Sequence, residues 1–156
     1  VIGLHLRGKG RLHGGVKELK NGFKLEDGVP YELYFKYINK FLQKYKRKQV
    51  KIFVASDSKD VIDRCKKEYG NIILSYDAST ITGDGEFHIE NTNMSVAPKI
   101  GEECLIDALI LSRCNILVHG NSNVSNFILC YNKKIKNIEV YLEAHKEKGI
   151  NLKQIF

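Results

Sequence analysis

Val50-Lys51-Ile52-Phe53-Val54-Ala55-Ser56-Asp57-Ser58 opens on an apolar run and ends abruptly in three polar residues. The apolar part is too short for a helix and shows no clear alternation, so Val50 to Ala55 predicts a strand covered on both faces. Beyond Ser58 the period changes. Val61, Ile62, Cys65 and Tyr69 recur at helical spacing, and Gly70 stands where a helix would close. A buried strand that passes through a polar turn into an amphipathic helix is the first part of a strand–helix–strand unit.

The same unit repeats on both sides. Upstream, the strand-favouring run Val1 to Leu6 stops at Arg7-Gly8-Lys9-Gly10-Arg11, and a glycine-rich loop runs to about Pro30. Tyr34, Tyr37, Ile38, Phe41, Leu42 and Tyr45 then form one stripe of a helix from Tyr31 to Lys46. Downstream, Ile72 to Leu74 predicts a third strand, and Asp77 to Pro98 a second long loop around Gly83-Asp84-Gly85. Ile100 to Arg113 predicts a helix buried on most sides, with Asp107 in its middle. Ile116 to Val118 reads as a strand, Ser122 to Asn132 as a helix with Val124, Phe127, Ile128 and Tyr131 inward, and Ile138 to Tyr141 as a last strand. Parallel strands need crossovers, and helical crossovers cover the sheet. The expectation is therefore an α/β, Rossmann-like open parallel sheet with helices on both faces, residues 1–156 forming one domain.

With 156 residues, 43% of them apolar, the chain can build a real core. It starts at Val1-Ile2 without methionine or a leader pattern, which suggests a piece of a longer protein. No stretch approaches the roughly 18 to 20 apolar residues of a membrane-spanning helix. Cys65, Cys104, Cys114 and Cys130 lack a Cys-x-x-Cys spacing and read as core thiols in a reducing, cytoplasmic compartment. The net charge of +7 suits a phosphorylated ligand as well as nucleic acid. Much of it comes from Lys44, Lys46, Arg47 and Lys48 and from Lys133, Lys134 and Lys136, runs at turns that read as solvated surface.

In an open parallel sheet, ligands bind beyond the carboxyl ends of the strands, where helix N-termini attract anions. The residues at those ends are Arg7, Ser56 and Asp57, Asp77, and His119-Gly120-Asn121-Ser122. Arg7 offers a planar fork for phosphate oxygens, to which Lys9 and Arg11 add charge. Ser122 and Asn123 begin a helix, where they either cap it or contact a phosphate or ribose. Asp107 needs a partner in its apolar helix, so it either pairs with a cation or backbone group or faces the cleft. The histidines lack metal-ligand spacing and no Asp-x-Asp element is present, so the site is expected to work without a metal or other cofactor. Neither a Gly-x-Gly-x-x-Gly fingerprint nor a Walker lysine follows the first strand.

Ile2-Gly3-Leu4-His5-Leu6-Arg7 resembles the His-x-Arg strand end of α1,6-fucosyltransferases of the core-glycan and bacterial nodulation types. Phe53-Val54-Ala55-Ser56-Asp57 is similar to that family's Ala-Thr-Asp element, and Gly101 through Cys114 with Ser122 and Ser125 to its third block, in the same order. His88 resembles a loop element of the family. The resemblance implies the C-terminal half of a GT-B glycosyltransferase that binds GDP-fucose and transfers fucose to a glycan acceptor with inversion and without metal. The N-terminal acceptor domain would be missing. Arg7 and His5 would then be catalytic, with Arg7 on the β-phosphate. Asp57 would contact the nucleotide, and Ser122 and Ser125 would line the phosphate side.

Gly8 stands where the family has Arg or His, and Glu18 is the nearest candidate for its acidic residue. Two other readings stay open: a relative that binds a nucleotide sugar without turnover, and a basic module associated with nucleic acid.

Overall fold

The structure, a computed structural model, describes residues 1–7, 31–45, 49–76, 78, 80 and 97–147. Lys9, Arg11, Glu18, Asp77 and His88 lie outside the described residues, as do Lys46, Arg47 and Lys48. The elements in chain order are β1 (Ile2–His5), α1 (Tyr31–Lys44), β2 (Ile52–Ala55), α2 (Lys59–Tyr69), β3 (Ile73–Ser75), α3 (Ala97–Ser112), β4 (Ile116–His119), α4 (Asn123–Tyr131), β5 (Lys136–Glu139) and α5 (Val140–Glu147). A 3₁₀ turn, Gly70–Ile72, leads into β3. Gly70 there takes φ +64°, the left-handed region open to glycine, and its N–H closes α2 onto the Lys66 carbonyl.

The five strands form one sheet in the order β3-β2-β1-β4-β5, and every pairing is parallel. The chain therefore winds outward from β1 in one direction and then crosses to β4 on its other side. This is the Rossmann-like doubly wound pattern, with its switch point between β1 and β4.

Strand alternation divides the core into two layers. Ile2, Leu4 and Leu6, with Ile52, Val54 and Val118, pack against Tyr34, Tyr37 and Ile38 of α1 and Val61, Cys65 and Tyr69 of α2. Phe53, Ala55 and Leu117 point the other way, onto Ala108 and Leu111 of α3 and Ile128 of α4. Gly3 lies on this second face, where an added Cβ would come within 2.9 Å of Leu111 Cδ2 and 3.1 Å of Cys114 Sγ. The missing side chain lets the end of α3 lie close on the central strand.

Several expectations need correction. β5 lies earlier than Ile138–Tyr141, because its boundaries are set by hydrogen bonding to β4, with Ile116 paired to Lys136 and His119 to Glu139. Its exposed Lys136 and Asn137 carry no apolar signal, and Val140 already begins α5. α3 is not buried on most sides. Leu105 is 49% exposed and Cys104 is also exposed, since the sheet and α4 cover only part of the circumference. On α4, Ile128 faces the core, but Phe127 and Tyr131 are exposed and stack on each other, centroids 5.8 Å apart. Tyr45 lies beyond the end of α1 and is exposed. Only Cys65 and Cys114 are core thiols, because Cys130, like Cys104, lies on the outer side of its helix. Burial pushes the Cys65 thiol up to about 12 and that of Cys114 to about 11.

Candidate functional site

The carboxyl ends of β1, β2 and β4 bring together His5, Arg7, Asp57, His119 and Ser122. His5 and His119 are register partners in adjacent strands, and both are buried. Two residues past β1 and two past β2, Arg7 Nε lies 3.6 Å from Asp57 Oδ2, with both side chains partly exposed. The contact is made through Nε.

Beside them stands the start of α4. Ser122 is its N-cap, and Ser122 and Ser125 form a capping box. The Ser125 N–H donates to Ser122 Oγ (3.0 Å) and the Ser122 N–H to Ser125 Oγ (2.9 Å). The Ser125 hydroxyl donates onward to the carbonyls of Gly120 (3.0 Å) or Ser122 (2.9 Å). Ser125 is fully buried, so its hydroxyl holds the turn rather than facing a ligand. The Ser122 hydroxyl lies 3.0 Å from Ser125 Oγ and 3.4 Å from His5 Nδ1. Asn123, at the first helical position, is exposed.

Burial, followed by the charges of His119 and Arg7, lowers the His5 pKa to about 4 against a smaller opposing effect of Asp57. His5 is thus neutral at physiological pH. Burial also lowers the pKa of His119, partly offset by Gly120 and Asn137. Its Nδ1–H donates to the Gly120 carbonyl at 2.9 Å, fixing the tautomer and the turn that precedes α4. Across that turn, an added Cβ at Gly120 would meet the Tyr34 hydroxyl at 2.5 Å. α1 therefore presses on the site from the opposite layer, a contact for which the sequence offers no local sign.

α3 supplies the remaining wall. α3 packs on β1 and β2, and its Cys104, exposed on one side, has a thiol pushed up by partial burial first and by Asp107 next. Asp107 finds neither of the two roles simply fulfilled. Its Oδ1 is buried and without a hydrogen-bond partner among the described residues. Burial, then the nearby charge of Glu103, raises its pKa to about 7. Glu103 itself is buried, with Lys99 Nζ 3.6 Å from its carboxylate. Among the described residues no cluster of His, Cys, Asp or Glu is placed to hold a metal ion.

The arrangement is a strand-end cluster of a Rossmann-like α/β protein: a guanidinium beside a carboxylate, a neutral imidazole and a capped helix N-terminus lie at the switch point. No family model matches the chain, and no curated protein matches it in sequence. Among solved structures it is similar to NodZ alpha-1,6-fucosyltransferase co-crystallized with GDP, at 17% identity and a TM-score of 0.46. The match covers 88% of this chain and 37% of that one. At that level the likeness bears on neither activity nor ligand.

Proposed function

We propose that this chain is the donor-binding domain of a fucosyltransferase-like glycosyltransferase, corresponding to the C-terminal half of a GT-B enzyme. In this reading it takes GDP-fucose and no cofactor. The observation that carries it is the placement of Arg7. The strand-end motifs that resemble α1,6-fucosyltransferases, His5-Leu6-Arg7 and Ser56-Asp57, form an ion pair beside a helix N-terminus.

Arg7 holds the β-phosphate, with Asp57 setting the guanidinium plane from its Nε side. As the bond from the sugar C1 to the diphosphate oxygen breaks and an acceptor hydroxyl bonds to C1 from the opposite face, negative charge collects on the leaving GDP. Arg7, His5 and the Asn123 amide at the start of α4 are the groups that meet it. Lys9 and Arg11 add positive charge near the phosphates, and Ser125 acts through Ser122. Transfer runs with inversion and without metal, the acceptor glycan being held by a further domain.

Calorimetric titration with GDP, GDP-fucose, GDP-mannose, UDP and NAD, at low and high salt, tests the proposal. Guanine-nucleotide binding that survives salt and disappears in Arg7→Ala supports it. Binding of all the anions alike, lost at high salt, overturns it. Donor binding without sugar transfer in the full-length protein would leave a nucleotide-sugar-binding relative without catalysis.

A further inference from the structure

All five strands run parallel, so their amino ends share one edge of the molecule, opposite the crevice. The four helix-to-strand connections meet at that edge, and each carries exposed basic residues. Lys44 ends α1 and Lys51 precedes β2. Lys66 and Lys67 occupy the last turn of α2. Arg113 comes directly after α3. Lys133 and Lys134 turn the chain into β5, which begins with Lys136.

The described acid in these connections is Glu68. Asp57, Asp60, Glu102 and Glu103 lie instead toward the other end, in strand-end turns or the earlier parts of helices. Helix C-termini favour cations, but four of them account for about two charges, at roughly half a charge each. The basic edge far exceeds that. None of its lysines or its arginine is in an ion pair among the described residues.

We infer that this basic edge docks the protein on an anionic lipid surface, leaving the crevice facing the aqueous phase. The charges favour a membrane over a nucleic acid in two ways. Lysine predominates, a hydrated point charge without the bidentate fork that grips individual phosphates. The residues also come from four separate connections along a row of strands about 4.8 Å apart, rather than from one helix or groove. An extended anionic plane engages such a row at once. Exposed Tyr45 and Tyr131, at the ends of α1 and α4, add amphipathic rings of the kind that settle at headgroup depth.

Co-sedimentation of the 156-residue chain with phosphatidylcholine vesicles, with and without about 30% phosphatidylserine, tests the inference. The expected result is binding to the anionic vesicles alone, weakened at least about tenfold from roughly 50 to 300 mM salt. The Lys66→Glu, Lys67→Glu, Lys133→Glu, Lys134→Glu variant should lose it by a similar factor while keeping its circular dichroism and its nucleotide titration. Arg7→Ala should bind vesicles as the parent does, which separates this claim from the one about the crevice. Absence of vesicle binding overturns the inference. So does vesicle binding that the folded charge-reversal variant retains, or a duplex oligonucleotide that displaces the protein from vesicles at physiological salt.

Discussion

Arg7 Nε and Asp57 Oδ2, 3.6 Å apart, tie together the chain just beyond two adjacent parallel strands. Both side chains are partly solvated, so the pair itself adds little stability, on the order of 1 kcal/mol or less. Its value is orientation. A carboxylate on the Nε side biases the guanidinium toward a pose in which its fork can meet two oxygens of one phosphate.

Arg7→Ala is therefore expected to reduce GDP affinity by about tenfold or more, at about 1.5–3 kcal/mol for hydrogen bonds to a charged group. Arg7→Lys should be nearly as weak, because a point charge cannot replace the fork. Asp57→Asn should shift the melting temperature little while weakening GDP binding. Calorimetry with a parallel thermal melt checks all three.

His5 and Asp107 give opposite pH dependences. His5 is neutral in the folded protein down to about pH 4, whereas the unfolded chain takes up that proton near pH 6.5. Its contribution is complete above about pH 6.5 and is lost as pH falls toward 4. Asp107 keeps its proton up to about pH 7, whereas the unfolded chain releases it near pH 3.9. That contribution is complete at low pH and is lost as pH rises through about 7. Relative to the parent, Asp107→Asn should gain stability with rising pH by up to about 3 kcal/mol between about pH 4 and 7. His5→Gln should show the reverse trend relative to the parent. Urea unfolding at about pH 4.5, about 5.5 and about 7 measures both slopes.

The close approach of Gly120 to the Tyr34 hydroxyl predicts that Gly120→Ala costs about 1–3 kcal/mol by overpacking. Deleting the hydroxyl should relieve it, because the next Tyr34 atom lies at 3.7 Å, an ordinary contact. Gly120→Ala should then be nearly neutral in a Tyr34→Phe background. A double-mutant cycle by chemical denaturation measures the coupling.

Ser125→Ala removes a buried hydroxyl that receives one amide and bonds a carbonyl of the turn. The expected loss is about 1–2 kcal/mol, together with weaker GDP binding as the amides before α4 lose their fixed direction. Fluorescence-monitored unfolding and the same titration report the two effects.

Legibility in the sequence depends on where the physical signals lie. The stripes Tyr34-Tyr37-Ile38 and Val61-Ile62-Cys65-Tyr69 are local periodicities, and those residues are buried. The order of strands and helices, and hence the parallel sheet, came from the same periodicities. The placement of β5 did not, because an edge strand is defined by pairing with its neighbour rather than by apolar content. Phe127, Tyr131 and Leu105 misled for a related reason. Periodicity gives the face of a helix but not how much of its circumference a neighbour covers. At the crevice, Arg7, Asp57 and Ser122 could be found because strand ends are predictable positions. The His5–His119 register and the approach of Tyr34 to Gly120 depend on which strand lies beside which, and no stretch of sequence states that.

The most direct test of the central claim is an amide NMR titration of the isotope-labelled chain with GDP. A nucleotide seated in the crevice predicts that the largest shifts fall on Arg7, Gly120, Ser122 and Asn123, with little change at Lys133 and Lys134. Shifts concentrated at the amino ends of the strands, or none at the turn before α4, would contradict it.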